Sequence, residues 1–86
     1  MITITLKLSE SLLSILRDAG QPKKETVRFE VAAGITVLEI LEDQGINPLL
    51  VPMAAVETAT GSKRIDRRTV LKQDAVIILH GPLAGG

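Results

Sequence analysis

The chain has 86 residues, enough for one domain with one modest core, and 45% of them are apolar, so that core needs neither disulfides nor a metal. Ten basic and ten acidic residues leave a formal net charge of zero, which removes the electrostatic case for a nucleic-acid or membrane-surface partner. Cysteine, tryptophan and tyrosine are absent and Phe29 is the single aromatic residue, which excludes thiolate metal sites, cysteine nucleophiles and stacking platforms for bases or sugars.

Met1 to Leu8 alternates, with Ile2, Ile4, Leu6 and Leu8 on one face and Thr3, Thr5 and Lys7 on the other, which predicts a half-buried strand. Ser9 is placed to cap a short helix in which Leu12, Leu13, Ile15, Leu16 and Ala19 recur at helical spacing, and Gly20 to end it. Gln21 to Glu25 is a polar connector. Thr26 to Val31 alternates again, with Val27, Phe29 and Val31 inward, and is expected to pair with the first strand.

Thr36-Val37-Leu38-Glu39 has the spacing of a capping box and opens the main helix, Thr36 to Gln44, with Val37, Leu38, Ile40 and Leu41 as its buried stripe. Gly45 closes that helix, and Pro48 prevents its resumption. Pro52 breaks the next apolar run, so a strand is predicted from Met53 to about Thr58, then a turn at Thr60-Gly61-Ser62 and a short edge strand from Lys63 to Asp66. Asp66 to Thr69 reads as a surface turn, and Val70 and Leu71 as core plugs. Ala75 to Leu79 is nearly continuously apolar, the pattern of a central strand, and is expected beside the first strand and parallel to it. The order of elements makes the domain α+β, a single mixed sheet with one main helix packed on one face. Met1 to His80 is the expected domain. Gly81 to Gly86 lacks periodicity and is expected to be a flexible tail.

Side-chain chemistry has little support. His80 is the only histidine and no metal site is predicted. Glu39 faces the helix cap, Glu42 and Asp43 face solvent, and Ser9, Ser11 and Ser14 have no activating base. No phosphate-binding glycine motif is present. Arg67 and Arg68, with Lys63-Arg64, form a small basic cluster, either a solvated face or a docking surface for an acidic partner. The remaining feature is the Gly81–Gly86 tail with its Gly85-Gly86 ending, into which an apolar strand runs. Six residues extend to about 20 Å, and two terminal glycines carry no side chain to block a narrow channel. A carboxylate presented in this way is open to adenylation and then to a nucleophile.

Thr36-Val37-Leu38-Glu39-Ile40-Leu41 resembles the helix start of the MoaD/ThiS family of ubiquitin-like sulfur carriers. Val70 to Val76 resembles that family's last turn and strand, with Gln73 where the family has glycine, and Pro82-Leu83-Ala84-Gly85-Gly86 is similar to the ending of molybdopterin synthase small subunits. The resemblance implies a β-grasp fold and a carrier protein rather than an enzyme. It implies an adenylate and then a thiocarboxylate on Gly86, with Gly81, Pro82, Leu83, Ala84 and Gly85 as the segment that enters a partner's channel. The implied partners are an adenylyltransferase related to ubiquitin-activating enzymes, which uses ATP and magnesium, a persulfide sulfur donor, and either a molybdopterin synthase large subunit or a thiazole synthase. No cofactor is expected on the chain itself.

Molybdopterin synthesis is the first functional reading, supported by the Pro82–Gly86 ending and by a helix at Ser11 to Ala19 that shorter thiamine-type carriers usually lack. Thiamine thiazole synthesis, conjugation to lysines of target proteins, and a plain interaction domain are the alternatives. The N-terminus has no charged n-region and the longest apolar runs are too short to span a bilayer, so a cytoplasmic location is expected.

Overall fold

The alternating residues of the first segment form strand β1 (Ile2–Leu8), with Ile2, Ile4, Leu6 and Leu8 buried and Thr3, Thr5 and Lys7 on the other face. The computed structural model describes residues 1–81. After β1 come helix α1 (Glu10–Asp18), strands β2 (Thr26–Val31) and β3 (Ile35–Thr36), and helix α2 (Val37–Asp43). A 3₁₀ turn at Pro48–Leu50 leads to strands β4 (Met53–Thr58), β5 (Gly61–Ile65), β6 (Val70–Leu71) and β7 (Ala75–His80).

Five strands form one mixed sheet in the order β2-β1-β7-β4-β5, and β3 with β6 makes a separate two-stranded ribbon. β1 and β7 are parallel neighbours, from Ile4 opposite Ala75 to Leu8 opposite Leu79. The other neighbours in the sheet are antiparallel. Asp74 extends the parallel pair by one step, its carboxylate accepting from the Thr3 amide at 2.8 Å. β7 is thus the central strand, as its apolar run requires. Ile77 and Leu79 are fully buried on its helix side, while Val76 and Ile78 are half-buried on the open face. Across that open face Lys7 on β1 and Glu57 on β4 form an ion pair at 2.9 Å.

The core lies between the sheet and the two helices. Leu12 and Leu16 from α1, and Val37, Ile40 and Leu41 from α2, pack with Ile4, Leu6, Ile77 and Leu79. Leu38 departs from the expected stripe and is only half-buried. Seven residues make about two turns, so the narrow stripe is served by Val37, Ile40 and Leu41, leaving Leu38 at its edge. Val70 also departs: it is 47% exposed, because β6 pairs with β3 outside the main sheet and turns only Leu71 inward. The edge strand β5 starts at Gly61 rather than Lys63, since pairing with β4 continues to the turn, where Thr58 lies opposite Gly61.

Helix α2 begins with every free amide answered. The Thr36 amide donates to the Glu39 carboxylate at 3.2 Å and the Glu39 amide to the Thr36 hydroxyl at 3.2 Å, the reciprocal bonds of a capping box. The Val37 amide donates to the Thr69 carbonyl and the Leu38 amide to the Arg67 carbonyl, at 3.1 and 2.9 Å. The Asp66–Thr69 turn therefore completes the start of the helix. At the other end Gly45, at φ +71°, donates to Glu42 while Ile46 donates to Leu41, the paired bonds of a Schellman ending. Lys23 places its ammonium 3.0 Å from the Gln44 carbonyl at this terminus, so it serves the helix rather than a free basic face.

Candidate functional site at the root of the C-terminal segment

Strand β7 delivers the chain to Gly81, and the expected tail starts one residue too early there. Gly81 is buried, and its amide donates to the Ser9 hydroxyl at 3.2 Å. The same hydroxyl caps α1 by accepting from the Leu12 amide at 3.3 Å, and it lies 3.1 Å from the Ser11 hydroxyl. Just before it, the Ser9 amide donates to the Leu79 carbonyl at 3.0 Å, carrying the β1–β7 pairing into the turn. A Cβ on residue 81 would stand 2.8 Å from the Leu12 nitrogen and 2.9 Å from its Cα, both backbone atoms. Glycine is needed here for close approach. Gly81 therefore belongs to the folded domain, while Pro82, Leu83, Ala84, Gly85 and Gly86 lie outside the described residues.

Beside Gly81 is a groove of about 290 Å³ lined by Ser11, Pro52, Met53, Arg64 and His80. The sheet builds it: Met53 starts β4 directly opposite His80, and Arg64 on β5 is brought in by its pairing with Ala55. Met53 is 38% exposed, an apolar side chain left open beside Gly81. A second groove, of about 190 Å³, shares Pro52, Met53 and Arg64 and continues to Ile65 and Arg67. Two guanidinium groups thus border an apolar strip that runs up to the root of the C-terminal segment.

Of the two arginines singled out in the sequence, Arg67 lines this surface and Arg68 lines neither groove. They occupy a tight turn: the Asp66 carboxylate accepts from the Arg68 amide at 2.8 Å and from the Thr69 hydroxyl at 3.3 Å. Arg64, which the sequence placed in the same basic cluster, lines both grooves, and the β4–β5 register is what brings it to the surface that Met53 shares. Ser9 was legible as a helix cap, but its second bond joins residues 72 positions apart.

The carboxylates singled out in the sequence are placed on helix α2. Glu39 is engaged in the cap of α2, and Glu42 and Asp43 are exposed. Among the described residues no group of three or more His, Cys, Asp or Glu is gathered to hold a metal ion, and no helix is long and apolar enough to cross a membrane. The arrangement offers a partly apolar surface bordered by Arg64 and Arg67 beside Gly81.

No protein-family model matches the sequence, and no curated protein is a significant match. Among solved structures, the chain is similar to SAMP1 from Haloferax volcanii, with a TM-score of 0.63 at 19% identity, over 98% of this chain and 99% of that one. The chain has a β-grasp fold. In β-grasp terms, the parallel β1–β7 pair is the centre of the sheet and α2 is the helix it holds, with α1 inserted after the first strand.

Proposed function

We propose that this β-grasp protein is a ubiquitin-like sulfur carrier whose working group is the carboxylate of Gly86. A partner adenylyltransferase related to ubiquitin-activating enzymes uses ATP and magnesium to convert that carboxylate to an acyl-adenylate, with pyrophosphate leaving. The terminal sulfur of a donor persulfide then displaces AMP to give an acyl disulfide on Gly86, and a partner thiol cleaves its S–S bond, leaving Gly86 as a thiocarboxylate and the thiol joined to the donor's sulfur in a disulfide. No side chain of this protein takes part in these steps.

The observation that supports this reading is the path of the chain: the central strand of a β-grasp sheet ends at the anchored Gly81, and Pro82-Leu83-Ala84-Gly85-Gly86 follows directly. Five residues reach at most about 17 Å, enough for a carboxylate to enter a partner's pocket. The two glycines at the end of the segment carry no side chain to block a narrow channel. The surface around Met53, Arg64 and Arg67 is where the activating enzyme docks, through apolar contact and acidic groups facing the two arginines. The nine-residue α1 favours molybdopterin synthesis, with a synthase large subunit as the acceptor of the loaded protein. Thiamine-type carriers, which the sequence also resembles, are usually shorter at this point. The reading places the protein in the cytoplasm.

The test is mass spectrometry of the protein after incubation with the activating enzyme, ATP, magnesium and a sulfur donor. The mass should rise by the difference between sulfur and oxygen, on the peptide ending in Gly86, and deletion of Gly86 should abolish the change. Lysine-linked conjugates without sulfur loading would move the assignment to a protein modifier. Neither product would leave a plain interaction domain.

A further inference from the structure

We infer that strand β2 is a self-association edge: two copies of the chain pair there, antiparallel about a two-fold axis at Phe29, and join their sheets into one. β2 ends the sheet order β2-β1-β7-β4-β5, and among the described residues no strand lies beyond it. Which of its backbone groups face outward follows from the bonds on its inner side. The Leu8 amide donates to the Glu25 carbonyl at 2.8 Å, and bonded and unbonded pairs alternate along an antiparallel ladder. The bonded pairs of β1 with β2 are thus Leu6–Val27, Ile4–Phe29 and Ile2–Val31. The Thr3 and Ser9 amides, of opposite parity, turn the other way, to Asp74 and to Leu79. On β2 it is therefore Thr26, Arg28 and Glu30 whose N–H and C=O groups face away from the sheet, and all three residues are exposed.

These groups fit a second copy of themselves. With the axis at Phe29, Arg28 lies opposite Glu30 of the second copy and Glu30 opposite its Arg28, as bonded pairs that bring opposite charges together twice. Phe29 then meets Phe29 across the axis as a close, unbonded pair with Cα atoms about 4.5 Å apart. It is the chain's single aromatic residue, half-buried against the edge of the core, and Val27 lies opposite Val31 beside it. The neighbouring registers of the same parity set Arg28 against Arg28 or Glu30 against Glu30, so charge selects this one. Neither residue has an ion-pair partner among the described residues, where Lys7–Glu57 is the one bridge formed. The other edge of the sheet, β5, carries Lys63 and Arg64 and no acidic residue, so it cannot answer its own charges. That edge borders the grooves at Met53, Arg64 and Arg67, on the far side of the sheet from β2, so a pair formed through β2 leaves them open.

The test is analytical sedimentation of the full chain at low salt, from about 10 μM to about 1 mM, the range in which a contact of this small size is read. The weight-average mass should rise with concentration from one chain toward two, and the rise should shrink at high salt. Arg28→Glu and Glu30→Arg each set like charges opposite one another at both symmetric positions and should weaken self-association by about tenfold or more. Mixed one to one, the two variants restore both opposite-charge pairs and should associate about as well as the wild type, which also shows that each is folded. In the wild type, amide exchange at Arg28 and Glu30 should slow as concentration rises, while Val27 and Phe29, already bonded to β1, change little. A wild-type protein that stays a single chain throughout would overturn the inference, as would variants that associate as strongly as the wild type, or a mixture that stays apart. Sulfur loading at Gly86 is read by a separate assay, so either reading can fail without the other.

Discussion

Leu41→Ala and Leu38→Ala separate the geometry of helix α2 from its sequence pattern. Both leucines fall in the same apolar run, but Leu41 is fully buried in the core and Leu38 is half-buried at its edge. Truncating Leu41 removes three methylene-sized groups, about 2.4 kcal/mol at roughly 0.8 kcal/mol each. The unfilled space adds to that, so about 3–4 kcal/mol is expected, within the usual range of 2–5. An 86-residue domain has a total stability of roughly 4–13 kcal/mol, so the loss is a large part of it. Leu38→Ala should cost about 1 kcal/mol, since much of that side chain already meets water. Urea denaturation followed by circular dichroism reads both, with the m-value checking that the unfolding transition is otherwise the same. Equal losses, or a larger loss for Leu38, would mean that α2 is rotated about its axis relative to the packing described here.

Three further outcomes are expected. Thr36→Ala removes the hydroxyl that accepts from the Glu39 amide and should lower stability by about 1 kcal/mol, read by thermal or urea unfolding. Asp74→Ala leaves the Thr3 amide without its partner at the start of the parallel pair; a loss of about 0.5–1.5 kcal/mol is expected, with faster amide exchange at Thr3. Charge reversal at Arg64 and Arg67 together should raise the KM for activation without shifting the melting temperature, whereas reversal at Arg68 should do little, because it lines neither groove.

The strands and helix ends were readable because they depend on neighbours in sequence. Alternation in Ile2–Leu8, the Thr36–Glu39 spacing and the glycines at 20 and 45 each act over one or two turns of chain, and each stands in the structure where that local rule puts it. Leu38 and Val70 were not readable from hydrophobicity alone. Whether an apolar residue at the edge of a stripe is covered depends on what packs against that edge, and for Val70 on β6 leaving the main sheet. The surface at Met53, Arg64 and Arg67 joins two strands and a turn, and no window of sequence holds all three. Gly81 illustrates the same point. A glycine near a chain end reads as slack, and only the position of Leu12 shows that a side chain there would collide.

The parallel pairing of β1 with β7 also governs when this protein can exist as a folded unit. Thr3 and Asp74 are separated by 71 positions, so the middle of the sheet closes a long loop. Such contacts slow folding relative to a chain of the same size built from local pairings. On the ribosome, β1 waits without its parallel neighbour until Ala75 to His80 has emerged, and β4 waits for the same strand. Strand β7, the last in sequence among the described residues, is thus the one that joins the two halves of the sheet. A chain cut short before it has no complete surface at Met53 and Arg64 and no anchored Gly81.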